Sequence, residues 1–149
     1  MIDKSKVYAY CQKLIDEKRA LLEKEMKSLQ ESSNNETKSS AGDKHETSRA
    51  LAQAEQENLG NQFSKLALLQ QALDSINLEI VNPTINVGSL VKTNNNTLFL
   101  GIPLGSIKLD GISIFAISTA SPIGKLLIGK QAGDEFKFNS QVIKILEVI

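Results

Sequence analysis

Two acids, Asp43 and Glu46, stand three residues apart where a polar stretch gives way to a helical pattern. The pattern Asp-x-x-Glu has an ordinary use at a helix start. The first side chain accepts from the backbone N–H three residues on, and the second reaches back. It has a second use if this segment is the working end of the molecule, and an acid that caps a helix keeps a free oxygen. Both uses stay open on these residues. Between them lies His45, the chain's only histidine. It is either a proton shuttle or an exposed residue of a helix start without a task. Cys11 is the only cysteine, so the chain can form no internal disulfide and no zinc site built on cysteines. It falls in an apolar stripe with no histidine close in sequence to activate it, the setting of a small core residue rather than a nucleophile.

The elements that must carry these residues are helical. Leu59, Leu66, Leu73 and Ile80 recur every seven residues, with Leu69 and Ile76 between them, which is a coiled-coil seam. Earlier, Leu14 and Leu21 form one row and Ile15, Leu22 and Leu29 the neighbouring one. Val7 and Cys11 extend the stripe backwards. Residues 32–44, SSNNETKSSAGDK, hold no apolar anchor and read as the connection. The pattern predicts two antiparallel helices over 1–80 with their tip near 34–46. A helix of about 30 residues is about 45 Å long at 1.5 Å per residue, so the acids are expected far from whatever follows.

Composition changes near Asn82-Pro83. All three prolines and seven of the nine glycines lie beyond residue 80. Ser89–Thr93 and Thr97–Leu100 flank three asparagines, a hairpin signal. Ile112–Ser118 is a β-branched run. Ser121, Pro122 and Gly129 supply cap, first turn and stop for one short helix over about 122–128. Gly133-Asp134 precedes a further pair, 135–138 and 141–148, in which Phe136 and Phe138 share a face and read as core. The expected class is α+β: a helical hairpin, then a small antiparallel sheet over 84–149 carrying one helix.

The 149 residues carry 17 basic and 17 acidic side chains, so no global field singles out nucleic acid or membrane as partner. The N-terminus lacks the apolar core of a signal peptide, and no stretch approaches the ~18 apolar residues of a membrane span. A cytoplasmic location is expected, with no membrane partner.

The stretch Ser121-Pro122-Ile123-Gly124-Lys125-Leu126-Leu127-Ile128-Gly129-Lys130-Gln131-Ala132-Gly133-Asp134 resembles the C-terminal signature of the Gre transcript-cleavage factors of bacterial RNA polymerase. Gly42-Asp43-Lys44-His45-Glu46-Thr47 is similar to that family's tip motif, and the order of elements is the same. The resemblance covers nearly the whole chain. It implies a C-terminal domain of the FK506-binding-protein-like fold, docking on RNA polymerase through Ser121, Pro122, Ile123, Gly124, Lys125 and Gly129. It implies a coiled coil that enters the secondary channel, and contact with nascent RNA and proximity to DNA in the elongation complex. Asp43 and Glu46 would help hold a Mg²⁺ and a water, with the metal supplied at the polymerase active site and no cofactor of the chain's own. Positions three apart at a helical start face the same side, and carboxylates suit a hard cation that keeps waters. The chain would then be an accessory factor that stimulates the polymerase's own hydrolysis, not an enzyme.

Departures from the family pattern surround the acids. Lys44 stands for its leucine, His45 for its lysine, Thr47 for its asparagine and Ala50 for its tyrosine. Lys4, Lys6, Lys13, Lys18, Arg19, Lys24 and Lys27 are interleaved with acids, so the family's basic patch is not evident. A regulator that enters the same channel without cleaving is the alternative. An adaptor or a prolyl isomerase is a third reading, and the scarcity of aromatic residues argues against a proline pocket.

Overall fold

A computed structural model of the chain describes residues 2–37 and 42–149, with the side chains of 33–46 outside that description. Two long helices, α1 (Lys4–Thr37) and α2 (Gly42–Asp74), precede six strands and a short helix. These are β1 (Leu90–Thr93), β2 (Thr97–Leu100), β3 (Gly105–Leu109), β4 (Ile112–Ile117), α3 (Pro122–Leu127), β5 (Glu135–Phe138) and β6 (Gln141–Val148). The class is α+β. Backbone contacts divide the chain into two compact units, one formed by 1–13 with 69–149 and the other by 14–68. That division falls inside the helices and not at the compositional change near Asn82-Pro83.

In the unit of residues 14–68, Ile15 and Leu22 of α1 and Leu59 and Leu66 of α2 are buried, whereas Leu21 is 57% exposed. The seam therefore runs along the row of Ile15 and Leu22, and not along that of Leu14 and Leu21. Leu21 and Leu29 share one groove with Glu55 and Leu59. In the other unit, Val7, Cys11, Leu73 and Ile76 continue the buried stripe, and Gln12 meets Gln70. Asp3 starts α1. Its carboxylate accepts from the Ser5 N–H at 3.0 Å, and that bond, followed by one from the Ser5 side chain, holds its pKa below the ordinary carboxylate value.

The expected seam position Ile80 is corrected. Helix α2 ends at Asp74, Ile76 N–H bonds back to Leu73 in a tightened last turn, and Ile80 is 56% exposed beyond it. Ile76 instead seats under two glycines. A Cβ at Gly88 would lie 2.8 Å from Ile76 Cγ2, and one at Gly101 would lie 3.3 Å from Ile76 Cδ1.

The sheet order is β3-β4-β2-β1-β6-β5. Four of its pairings are antiparallel, but β2 and β4 run parallel, Thr97 opposite Ile114 through Leu100 opposite Ile117. The expected all-antiparallel sheet is thus a mixed one. The cause is β3, which reverses the chain after β2 and lies outside β4 at the sheet edge. Strands β3 and β4 are joined by Asp110 (φ 51°) and Gly111 (φ 78°), a two-residue turn with both residues left-handed. Leu98, Leu100, Val91 and Ile145 form a core with Ile85 and Leu127, and Ile117, Ile123, Phe136 and Val148 pack against it. Phe136 is core, as its place in the strand pattern suggests. The β1–β6 register shifts between Lys92, opposite Glu147, and Thr93, opposite Ile145, which leaves Leu146 of β6 as the extra residue, and the contact is carried on past the shift by Asn94. Its Oδ1 accepts from Lys144 N–H at 2.9 Å and its backbone N–H donates to the Lys144 carbonyl at 3.1 Å.

Candidate functional site

The two candidate acids belong to the first five residues of α2, because the helix starts at Gly42. Asp43 is therefore already inside the helix and not in the extended backbone of a cap residue. The side chains of Asp43, His45 and Glu46 lie outside the described residues. Among the described residues, no group of three or more His, Cys, Asp and Glu gathers in a way that could hold a metal. Cys11 is fully buried, and burial pushes its thiol up to about 11, the opposite of an activated nucleophile.

The segment from Ser121 to Asp134 is described throughout, and its residues build a compact structural device. Ser121 has the extended backbone of an N-cap (φ −65°, ψ 157°). Its hydroxyl oxygen accepts from Gly124 N–H at 3.1 Å and its hydroxyl donates to the Ser118 carbonyl at 2.6 Å. Pro122 supplies the first helical position, where a missing N–H costs nothing. Gly124 is buried where its helix meets the preceding turn. A Cβ there would overlap the Ser118 carbonyl oxygen and come within 2.8 Å of Ser121 Oγ and 3.1 Å of Thr119 Cα. Only glycine fits.

Past the helix, Gly129 takes a left-handed φ of 83°, and its N–H reaches the Ile85 carbonyl at 3.0 Å. Ile85 N–H returns a bond to the Lys130 carbonyl at 2.7 Å. This exchange ties the segment to the strand-like stretch around Thr84, which bridges Gln131. Gly133 N–H donates to the Ile145 carbonyl at 2.8 Å. Asp134 Oδ2 accepts from Gln131 N–H at 2.8 Å and so closes the turn before β5.

Of the six residues expected at the docking surface, Gly124 is buried, Ser121 and Ile123 are half-buried, and Pro122, Lys125 and Gly129 are exposed. The structure brings all six into one helix and its caps. It adds neighbours that the sequence reading missed. Leu126, Ile128 and Val87 are 38%, 40% and 45% exposed, and Asn86, Val87, Thr119, Lys125 and Ile128 line one shallow depression. Leu126 of α3 and Ile128 at its C-cap were within the recognised motif. Val87 was not, since it reaches this face only through the Ile85–Lys130 exchange. Val87 and Ile128 supply the apolar part of this depression, Asn86 and Thr119 the polar part, and Lys125 its cation.

On α1, Lys6 reaches Asp110 of the β3–β4 turn at 4.0 Å, Lys13 stacks 6.0 Å from the Tyr10 ring centre, and Arg19 pairs with Asp16 at 3.2 Å. Lys13 and Arg19 are thus engaged within α1 and Lys6 with the β3–β4 turn. Lys4 donates to the Ile80 carbonyl at 3.4 Å, and burial lowers its pKa. No helix among the described residues is long and apolar enough to cross a membrane.

No family model matches the chain, and no curated protein matches it. Among solved structures, it is similar to a prokaryotic transcription elongation factor GreA/GreB from Nitrosomonas europaea. The identity is 26%, over 56% of this chain and 78% of that one, with a TM-score of 0.33. A superposition at that level carries no argument about activity, so any functional reading rests on the residues of this chain.

Proposed function

We propose that the chain is a Gre-like transcription factor that binds bacterial RNA polymerase in the cytoplasm, enters its secondary channel and stimulates cleavage of backtracked transcripts. The observation that supports this best is the stretch Ser121–Asp134. It resembles the Gre signature, and it folds as a capped helix with Lys125, Leu126 and Ile128 turned outward. On this reading residues 84–149 dock on the polymerase and the helical pair of residues 1–80 presents Asp43 and Glu46 to the polymerase centre. Those acids act with Mg²⁺ bound by the polymerase, whose own site performs the hydrolysis. Their helix-start spacing suits two carboxylates facing one ion.

The test is cleavage by the cognate polymerase in stalled, backtracked elongation complexes. The chain is expected to accelerate cleavage, and Asp43→Ala with Glu46→Ala is expected to abolish the acceleration while leaving polymerase affinity intact. Unchanged acceleration in the double variant removes the acids from the mechanism. Binding without any cleavage at any Mg²⁺ concentration selects the non-cleaving channel regulator, the reading favoured by Lys44, His45 and Thr47 around the acids. Failure to bind polymerase removes both.

A further inference from the structure

The sheet carries the core of Val91 and Ile145 on one face, and Val148 packs against it there. Side chains alternate along a strand, so Leu90 and Lys92 of β1 project from the opposite face. A cavity of about 380 Å³ opens on that face, within the range of small-ligand sites, about 300–1,000 Å³. Two rows of the sheet line it. Leu90 and Ile149, which exchange backbone hydrogen bonds at 3.0 and 2.8 Å, form an apolar row. Two residues along β1, Lys92 stands opposite Glu147 on one side and Thr97 on the other, a polar row. Ile2 and Ile112 complete the lining. All of these residues belong to the unit formed by 1–13 with 69–149.

The polar row holds two opposite charges as direct cross-strand neighbours, a relation that sets Cβ atoms about 4.5–5.5 Å apart. Among the described residues, no ion pair joins Lys92 to Glu147. Both side chains are exposed and both line the cavity. An anion and a cation are thus offered side by side, next to an apolar hollow.

We propose that this cavity is a binding site for a free amino acid with an apolar side chain. The α-carbon of such a ligand carries a carboxylate and an ammonium on adjacent bonds, a spacing that one cross-strand Lys–Glu pair can meet. Lys92 and the Thr97 hydroxyl donate to the carboxylate, and Glu147 accepts from the ammonium. The ligand's side chain lies along Leu90 and Ile149, and it covers Ile112, which is otherwise 39% exposed. A ligand with a single charge leaves one member of the Lys–Glu pair partly desolvated and without a partner. The site is independent of the proposed function. Helix α3 packs through Ile123 and Leu127 on the other face of the sheet.

Ile2, Ile112 and Ile149 serve as methyl reporters in the full chain. Isotope-labelled isoleucine methyl signals are followed by NMR as free leucine is added. Saturable shifts are expected at these three residues and not at Ile85 or Ile123, which belong to the opposite face. Isocaproate, which lacks the ammonium, and isoamylamine, which lacks the carboxylate, are each expected to bind about tenfold more weakly than leucine. Serine, with the same charges and a polar side chain, is expected to give no saturation. In Glu147→Gln the preference for leucine over isocaproate should disappear, and in Lys92→Gln the preference over isoamylamine. Both substitutions alter exposed side chains at nearly constant volume, so the fold is retained. Absence of saturable shifts up to about 10 mM leucine, the weakest binding usual for a ligand of this size, overturns the site. Isocaproate binding as tightly as leucine, or preferences that survive both substitutions, overturn the role of the Lys92–Glu147 pair and the ligand class with it.

Discussion

Replacing Gly124 by alanine puts two simple rules in opposition. By helix propensity alone the change should stabilise α3 by about 1 kcal/mol. The packing says otherwise. The new methyl would overlap the carbonyl oxygen of Ser118 and press on Ser121 Oγ at 2.8 Å and Thr119 Cα at 3.1 Å. Two of these neighbours are backbone atoms and cannot swing aside. The third is the capping hydroxyl itself. Relief of the overlap requires the Ser118–Ser121 turn to move away from the helix, an overpacking cost of about 1–3 kcal/mol. That movement also breaks the Ser121–Gly124 cap, a further cost of about 1 kcal/mol. After the propensity gain, the net destabilisation is about 1–3 kcal/mol. For a chain of this size that lowers the melting temperature by roughly 3–10 °C. Thermal melts followed by circular dichroism, with urea midpoints as a check, measure it. Gly129→Ala is the control: nothing lies within 4 Å of its Cβ, and only its φ of 83° opposes alanine, so it is expected to cost about 1 kcal/mol. If Gly124→Ala melts at or above the parent temperature, the close-packing account of this glycine is wrong, and its place in the signature must be explained by a partner.

Lys125 is exposed at the rim of the α3 face. Lys125→Glu is expected to leave the melting temperature unchanged within error and to weaken binding to core polymerase by about tenfold; equal affinity would take α3 out of the interface. Burial raises the Cys11 thiol to about 11 from an ordinary 9.0. Its neutral form is favoured in the fold, so this contribution is intact below pH 9 and disappears as pH climbs through 11. Urea midpoints should hold level up to pH 9 and then fall, and a thiol reagent at pH 8 should find no reactive cysteine until the chain unfolds. A fast-reacting thiol in the native chain would contradict that. The Lys6–Asp110 ion pair is 4.0 Å long with both side chains about two-thirds exposed. Asp110→Asn is expected to cost under about 1 kcal/mol, because asparagine tolerates the φ of 51° there, whereas Asp110→Val should cost clearly more. Equal melting temperatures for the two would refute the turn argument.

Local chemistry was legible in the sequence, and non-local pairing was not. The bounds of β5 and β6, the Asn94–Asn96 hairpin loop and the cap-to-stop outline of α3 all follow from turn residues and alternation over a few positions. Strand β3 went unread although Asp110-Gly111 is a strong hairpin signal, because Gly105–Leu109 has only two buried-type residues and follows Pro103. Missing β3 made the sheet seem wholly antiparallel, since only β3 explains how β4 comes to lie parallel to β2. The seam on the helices was readable by its period, but Ile80 fits the repeat by spacing alone. The chain leaves the helix at Asp74 so that Ile76 can enter the space that Gly88 and Gly101 leave open. For the candidate site, the motif around Ser121 was recognisable, yet its letters record caps and close packing more than contact surface. The outward side chains that add to it, Leu126, Ile128 and Val87, are ordinary in type and become a face only in the fold.

The sheet order has a consequence for synthesis. Strand β6 is translated after the five other strands, yet it lies inside the sheet between β1 and β5, and its Ile143 and Ile145 are buried. Until residues 141–148 emerge, β1 presents an open hydrogen-bonding edge beside Val91 and Leu98, with no strand of its own chain to cover it. Such edges recruit other chains. The nascent domain therefore completes its sheet after translation of β6 and not progressively, and β5, which pairs only with β6, must wait with it.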